Sequence, residues 1–250
     1  MDKMMYLAAQ YLAAAGISFL DKIADDSHTN LGFVTGNASL NTRQLNQEGD
    51  VLSLNYERFT LNWNGKANNE SIRLDGNTHQ QIVNWIEDQA RQAAMEQSYT
   101  FNFHYDLPYD IEDNFTFKLL DASRLSELTH LRILAQLVLE KFLSAEGLTS
   151  EIRVWPHHFD TGVYAIDQQD AALAIGAGLA IPDTVADEHY FYLSVYKNHK
   201  AIATENLDPL SNGRWHSKGF VGAVLPAKNE TVETVLAFYE QALADLKSLV

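Results

Sequence analysis

Two periodicities alternate along this chain. Apolar residues recur at helical spacing from Met4 to about Ala15, and Gly16 is the expected stop. From Leu31 to Leu74 the pattern shortens to runs such as Val51-Leu52-Ser53-Leu54 and Phe59-Thr60-Leu61-Asn62-Trp63. Gly36-Asn37, Glu48-Gly49-Asp50 and Asn64-Gly65 separate these runs, which predicts antiparallel strands joined by turns. Asp75-Gly76-Asn77-Thr78 ends the block and caps a helix from His79 to about Met95, with Ile82, Val83, Ile86 and Ala90 on one face. Tyr99 to Phe103 is a short predicted strand that gives way to a loop at Leu107-Pro108-Tyr109-Asp110. Ser123 to Glu146 is the strongest helical pattern, dense enough in Leu, Ile, Val and Phe to be largely buried, with Gly147 where a C-cap belongs.

The second half returns to strands. Glu151 to Phe159 is one, and Gly162 to Ile166 continues it or forms its hairpin partner. Leu173 to Ile181, Tyr190 to Tyr196 and Gly219 to Leu225 follow, and a last helix spans about Thr231 to Leu249. Strands gather in blocks instead of alternating singly with helices. The expected fold class is therefore α+β, with mainly antiparallel sheets packed against a long central helix and a C-terminal helix. No linker rich in Pro, Gly or Ser interrupts the chain. One compact domain over 1–250 is expected, with sub-domains 1–120 and 121–250 as the alternative.

Composition narrows the function classes. There are 33 acidic against 18 basic residues, a formal net charge of -15. Phosphate backbones and anionic membranes would be repelled, so neither nucleic acid nor membrane is an expected partner. The chain has no cysteine, which excludes disulfides, thiolate nucleophiles, zinc–thiolate sites and iron–sulfur clusters, and fits a cytoplasmic location. No apolar run reaches the ~20 residues of a membrane span. The apolar N-terminus contains Asp2, Lys3, Gln10 and Tyr11, so a helix packed on the body is expected there in place of a signal peptide.

The densest chemistry is Trp155-Pro156-His157-His158-Phe159-Asp160. On a strand, alternate side chains share a face, which would set His158 beside Asp160 and turn His157 away with Trp155 and Phe159. With these residues placed, the chain resembles an uncharacterised bacterial family whose members carry a strand ending in a His-Phe-Asp type motif. In that family a Gly-containing strand, an aromatic strand, a Trp-containing loop, an apolar strand and a C-terminal helix follow. Here the pieces are Gly176-Ala177-Gly178, Tyr190-Phe191-Tyr192, Trp215-His216 and Gly222-Ala223-Val224-Leu225-Pro226, over roughly the last two-thirds of the chain. The resemblance implies no activity. Family members are longer and often carry a Pro-rich segment after the Gly strand, which is thin here.

Three chemistries are open at this stretch. A divalent metal, zinc or iron, would take His158 and Asp160 with His216, His189 or His104 as a third ligand. No HExxH or His-x-His supports it, and a hydrogen-bonded histidine at a core edge is the plainer alternative. A His158–Asp160 pair would suit acid–base or hydrolase-like chemistry, but no Gly-x-Ser-x-Gly elbow is present and Ser217 is only adjacent to His216. A structural His–Asp hydrogen bond accounts for the same residues. A small-molecule cleft is the third: Tyr190, Tyr192 and Tyr196 share a strand face, and Gly176 and Gly178 would admit a ligand closely, unless they mark a bulge. The absence of GxxxxGK[ST] and GxGxxG argues against nucleotides. The leading expectation is a small-ligand-binding protein with a cleft lined by His158, Asp160, Tyr190, Tyr192, Trp215 and His216. The alternatives are a hydrolase-like enzyme and an interaction protein.

Overall fold

The computed structural model describes residues 1–250. Four α-helices and two antiparallel sheets, of five and seven strands, make the chain α+β. It divides into two compact units, one holding Met1–Arg132 with Val154–His157 and the other Ile133–Arg153 with His158–Val250. The boundary falls inside the long helix instead of at residue 120. The chain crosses between units repeatedly, so no single flexible linker marks the division.

The first unit is a meander. Strands β1 (Gly32–Val34), β2 (Ser39–Asn41), β3 (Val51–Asn55), β4 (Thr60–Asn64) and β5 (Asn69–Arg73) pair antiparallel in chain order. Period-two alternation sends Leu52, Leu54, Leu61 and Trp63 to one face, where all are fully buried. Helix α1 (Asp2–Phe19) contacts β3 and is apolar around most of its girth, as a core helix must be. Gly16 does not end this helix. A Cβ there would lie 2.9 Å from the His28 carbonyl oxygen, so its glycine serves a close approach of the 27–29 turn.

Helix α2 (His79–Gln92) starts as expected. The Thr78 hydroxyl accepts from the Gln81 amide at 3.2 Å, and the Gln81 side chain accepts from the Thr78 amide at 2.8 Å. It stops three residues before Met95. Tyr99 to Phe103 is not a strand: it finds no ladder partner, and its alternating aromatics instead contact one another in series, Phe101 edge-on to Phe103 at 4.9 Å and Phe103 tilted against Tyr105 at 5.2 Å.

His79 is buried, with its Nδ1 2.8 Å from the Tyr11 hydroxyl, and burial pushes its pKa down. The buried His28 is pushed down for the same main reason. Both bind a proton more readily in the unfolded chain. Their contribution is therefore complete above the unfolded histidine pKa of about 6.5 and is lost as pH falls below it. Urea midpoints taken from pH 7.5 down to 5.5 are expected to decline; a flat profile would contradict the burial of both rings.

The second unit begins within the long helix α3 (Ala122–Ala145), which ends ahead of Gly147 in the left-handed conformation at φ 63°. Its strands are β7 (Asp160–Ile166), β8 (Leu173–Ala180), β9 (Tyr190–Lys197), β10 (Lys200–Ala201), β11 (Arg214–Lys218) and β12 (Phe220–Pro226), while β6 (Arg153–Trp155) falls at the division, with Val154 and Trp155 in the first unit. Their central order is β11-β12-β9-β8-β7, all antiparallel, with β10 a short addition to β9. Helix α4 (Val232–Lys247) covers one face, where Tyr239 meets Phe191 at 6.3 Å and Phe142 at 5.1 Å. Its hydroxyl donates to the Gly178 carbonyl at 2.8 Å.

Two expectations are corrected here. Trp215-His216 lies on a strand, not in a loop. Glu151 to Phe159 is not one strand: β6 ends at Trp155, a turn spans 156–159, and β7 starts at Asp160. Pro156 has no N–H for a ladder, and Phe159 turns the chain at φ 57°.

Candidate functional site

The turn after β6 has a structural role. In the first unit the buried Gln10 amide donates to the Pro156 carbonyl at 3.0 Å, and the Tyr6 hydroxyl donates to the His157 carbonyl at 3.3 Å. Tyr105 donates to Gln10 Oε1 at 2.7 Å and lies against the His157 ring at 5.7 Å. Backbone acceptors, supported by buried polar side chains of α1, thus fix the chain at Pro156-His157. Both His157 and His158 are exposed.

The second unit's sheet presents its other face without α4. Register places Asp160, Gly162, Gly178, Tyr192, Ser194, Gly222 and His216 on it, because each cross-strand pair shares a face. Tyr190, Tyr192 and Tyr196 lie there as expected. The glycines are not a bulge, since the ladder of β7, β8 and β9 runs through them without interruption. They form a shelf for a tyrosine: Cβ atoms built on Gly162 and Gly178 would lie 2.7 Å and 2.6 Å from the Tyr192 hydroxyl. That hydroxyl donates to Asp160 Oδ2 at 2.7 Å. Burial, then the Asp160 charge, hold the Tyr192 pKa well above its ordinary value, so the phenol stays a donor. Phe220 packs edge-on to Tyr192 at 5.9 Å and against His216 at 6.3 Å, and His216 Nδ1 lies 2.8 Å from the Phe220 carbonyl oxygen.

Of the expected cleft, Asp160, Tyr190, Tyr192 and His216 therefore share one face. Trp215 does not: alternation puts it on the face of Leu193 and Ala223, where its indole donates to the Asp208 carbonyl at 2.8 Å. Tyr190 turns its hydroxyl to Asp183 at 2.9 Å. His104, a suggested third ligand, pairs with Asp26 at 3.2 Å in the first unit. Nowhere do three or more His, Asp or Glu side chains gather in a geometry to hold a metal ion.

A second candidate lies in the first unit, on residues that carry no catalytic or metal-ligating motif. The outer face of the first unit's sheet floors a cavity of about 610 Å³. Register aligns Ser39 and Asn41 on β2, Ser53 and Asn55 on β3, Asn62 and Asn64 on β4, and Asn69 and Ser71 on β5. The side chains brace one another. Asn62 Nδ2 and Asn64 Nδ2 donate to Ser53 Oγ at 3.4 and 3.0 Å, Thr60 donates to Asn62 Oδ1 at 3.2 Å, and Asn55 Nδ2 donates to the Asn37 carbonyl at 2.8 Å. The signal was present in the sequence. Ser53-Leu54-Asn55 and Asn62-Trp63-Asn64 alternate polar with apolar, a pattern that any strand with one exposed face shows. No protein-family model, curated protein or solved structure matches the chain, so its function must be read from its own residues.

Proposed function

We propose that this chain is a small-ligand-binding protein whose ligand sits on the Asn- and Ser-lined outer face of the β2–β5 sheet. One observation carries this reading: a cavity of about 610 Å³ floored by uncharged side chains held in a shared hydrogen-bond network. That volume falls within the roughly 300–1,000 Å³ of small-molecule pockets. The site replaces the expected aromatic cleft as the leading candidate, because on the second sheet Tyr192 itself occupies the glycine shelf that a ligand would need.

The test uses the side-chain amide resonances of Asn41, Asn55, Asn62, Asn64 and Asn69 in the 15N-labelled chain, followed against a library of neutral and charged fragments. Hits that move these resonances are expected. A library whose hits perturb only other residues would remove the site.

A second reading rests on the Asp160–Tyr192 hydrogen bond, which sets a carboxylate–phenol pair on the face of the second sheet away from α4. Tyr192→Phe is expected to destabilise the unit by about 2 kcal/mol through loss of a bond to a charged acceptor, read by urea denaturation. Fragment hits that shift the Asp160 and Tyr192 resonances would favour this face over the first.

A further inference from the structure

From the chemistry of that polar cavity, and resting on its assignment as the binding site, we infer that the ligand is a neutral, polyhydroxylated molecule: an uncharged linear oligosaccharide. Five asparagines share one face: Asn62 inside a strand, where asparagine is depleted, and Asn41, Asn55, Asn64 and Asn69 at strand ends. A merely solvated face would be better built from Thr, Lys or Glu.

The lining then excludes ligand classes in turn. An anionic ligand needs cations, and the cavity wall offers one, Arg58, against Glu57 and Glu70. An apolar or flat aromatic ligand needs aliphatic or aromatic walls, and the lining has neither. A cation would need converging carboxylates, and Glu57 and Glu70 are the only acids there. What remains is an array of amides and hydroxyls. Each amide supplies an acceptor oxygen and two N–H donors in one plane, and each Ser or Thr hydroxyl both gives and accepts. Adjacent hydroxyls on a sugar ring present the same mixture with no charge. Neighbouring strands are about 4.8 Å apart and same-face residues of one strand about 6.6 Å. Amides so spaced can engage successive hydroxyls of one ring and the next.

The internal bonds of the array matter as much as its composition. Ser53 gathers the amides of Asn62 and Asn64, and Thr60 donates to Asn62 Oδ1, so these side chains are oriented before a ligand arrives. With no aromatic ring for stacking, each sugar contributes only hydrogen bonds that compete with water. Affinity should therefore build with the number of rings. A tetrasaccharide is expected to bind at least about tenfold more tightly than its monosaccharide.

The experiment is calorimetric and NMR titration of the whole chain with cellotetraose, maltotetraose, glucose and a tetrameric galacturonate. Binding of a neutral tetrasaccharide that shifts the Asn62 and Asn64 amides is expected. It should be abolished in Asn62→Thr/Asn64→Thr, whose melting temperature should match or exceed that of the parent because threonine suits a strand. Should that variant fold poorly, Asn69→Ala on the exposed edge strand is expected to weaken binding at least threefold with the parent's melting temperature. Binding of the galacturonate alone would overturn the ligand class. Failure of every saccharide while other fragments still move the asparagine amides would overturn the class and leave the site standing. Silence of these amides toward every probe would bring down both.

Discussion

Replacing Gly178 by alanine is expected to cost about 3 kcal/mol, whereas the same replacement at Gly176, two residues away on the same face, should stay within about 1 kcal/mol. A Cβ at Gly178 would lie 2.3 Å from the Thr161 carbonyl oxygen and 2.6 Å from the Tyr192 hydroxyl. The first obstacle is backbone of the neighbouring strand, held in the β7–β8 ladder, and cannot swing aside. The second is the phenol that donates to Asp160, so the substitution should also weaken that bond. At Gly176 the nearest atoms are ring carbons of Tyr196 at 3.5 Å and Tyr164 at 4.0 Å, ordinary contact distances. There the reduced freedom of the unfolded chain offsets any small repulsion. Urea midpoints of the two variants distinguish these cases. Equal midpoints would mean that the tyrosine does not occupy the shelf.

Trp63→Ala is expected to destabilise the first unit by about 3–5 kcal/mol, while Asn62→Ala, its neighbour on the other face, costs under about 1 kcal/mol. Trp63 is fully buried and packs edge-on to Phe19 at 6.4 Å. Its indole donates to Asp50 Oδ2 at 3.1 Å, and Asp50 is itself only 2 % exposed. Truncation opens a cavity and strips a buried carboxylate of a donor. Trp63→Phe separates the two effects, since it keeps most of the ring volume and removes only the donor. A Trp63→Ala variant that melts with the parent would sever the link between this core face and the ordering of the Asn face above it.

The α+β class was legible because it depends on local period. Fully buried Leu52, Leu54, Leu61 and Trp63 alternate with polar residues in the chain and in the sheet alike. Helix α3 was legible from its dense apolar repeat, α4 as a last helical segment, and the start of α2 from the capping Asp75-Gly76-Asn77-Thr78. Errors arose where a local pattern had no long-range partner. Tyr99 to Phe103 alternates like a strand but pairs with nothing, and Gly16 looks like a stop although the helix passes through it. In Trp155 to Asp160, Pro156 is the local sign that the strand breaks, because it has no N–H for a ladder.

By itself, the sequence determined which residues prefer water and which avoid it, and with that the elements, their faces and the fold class. It also brought Asp160, Tyr190, Tyr192 and His216 into consideration, since chemistry and strand parity are local properties. Only the tertiary structure decided which strand lies beside which. That choice put Tyr192 over Gly162 and Gly178, turned Trp215 to the opposite face from His216, and lined up asparagines from four strands along one cavity. Strand order and register arise from burying the whole set of apolar faces at once. A site assembled across strands therefore has no local signature in any one of them.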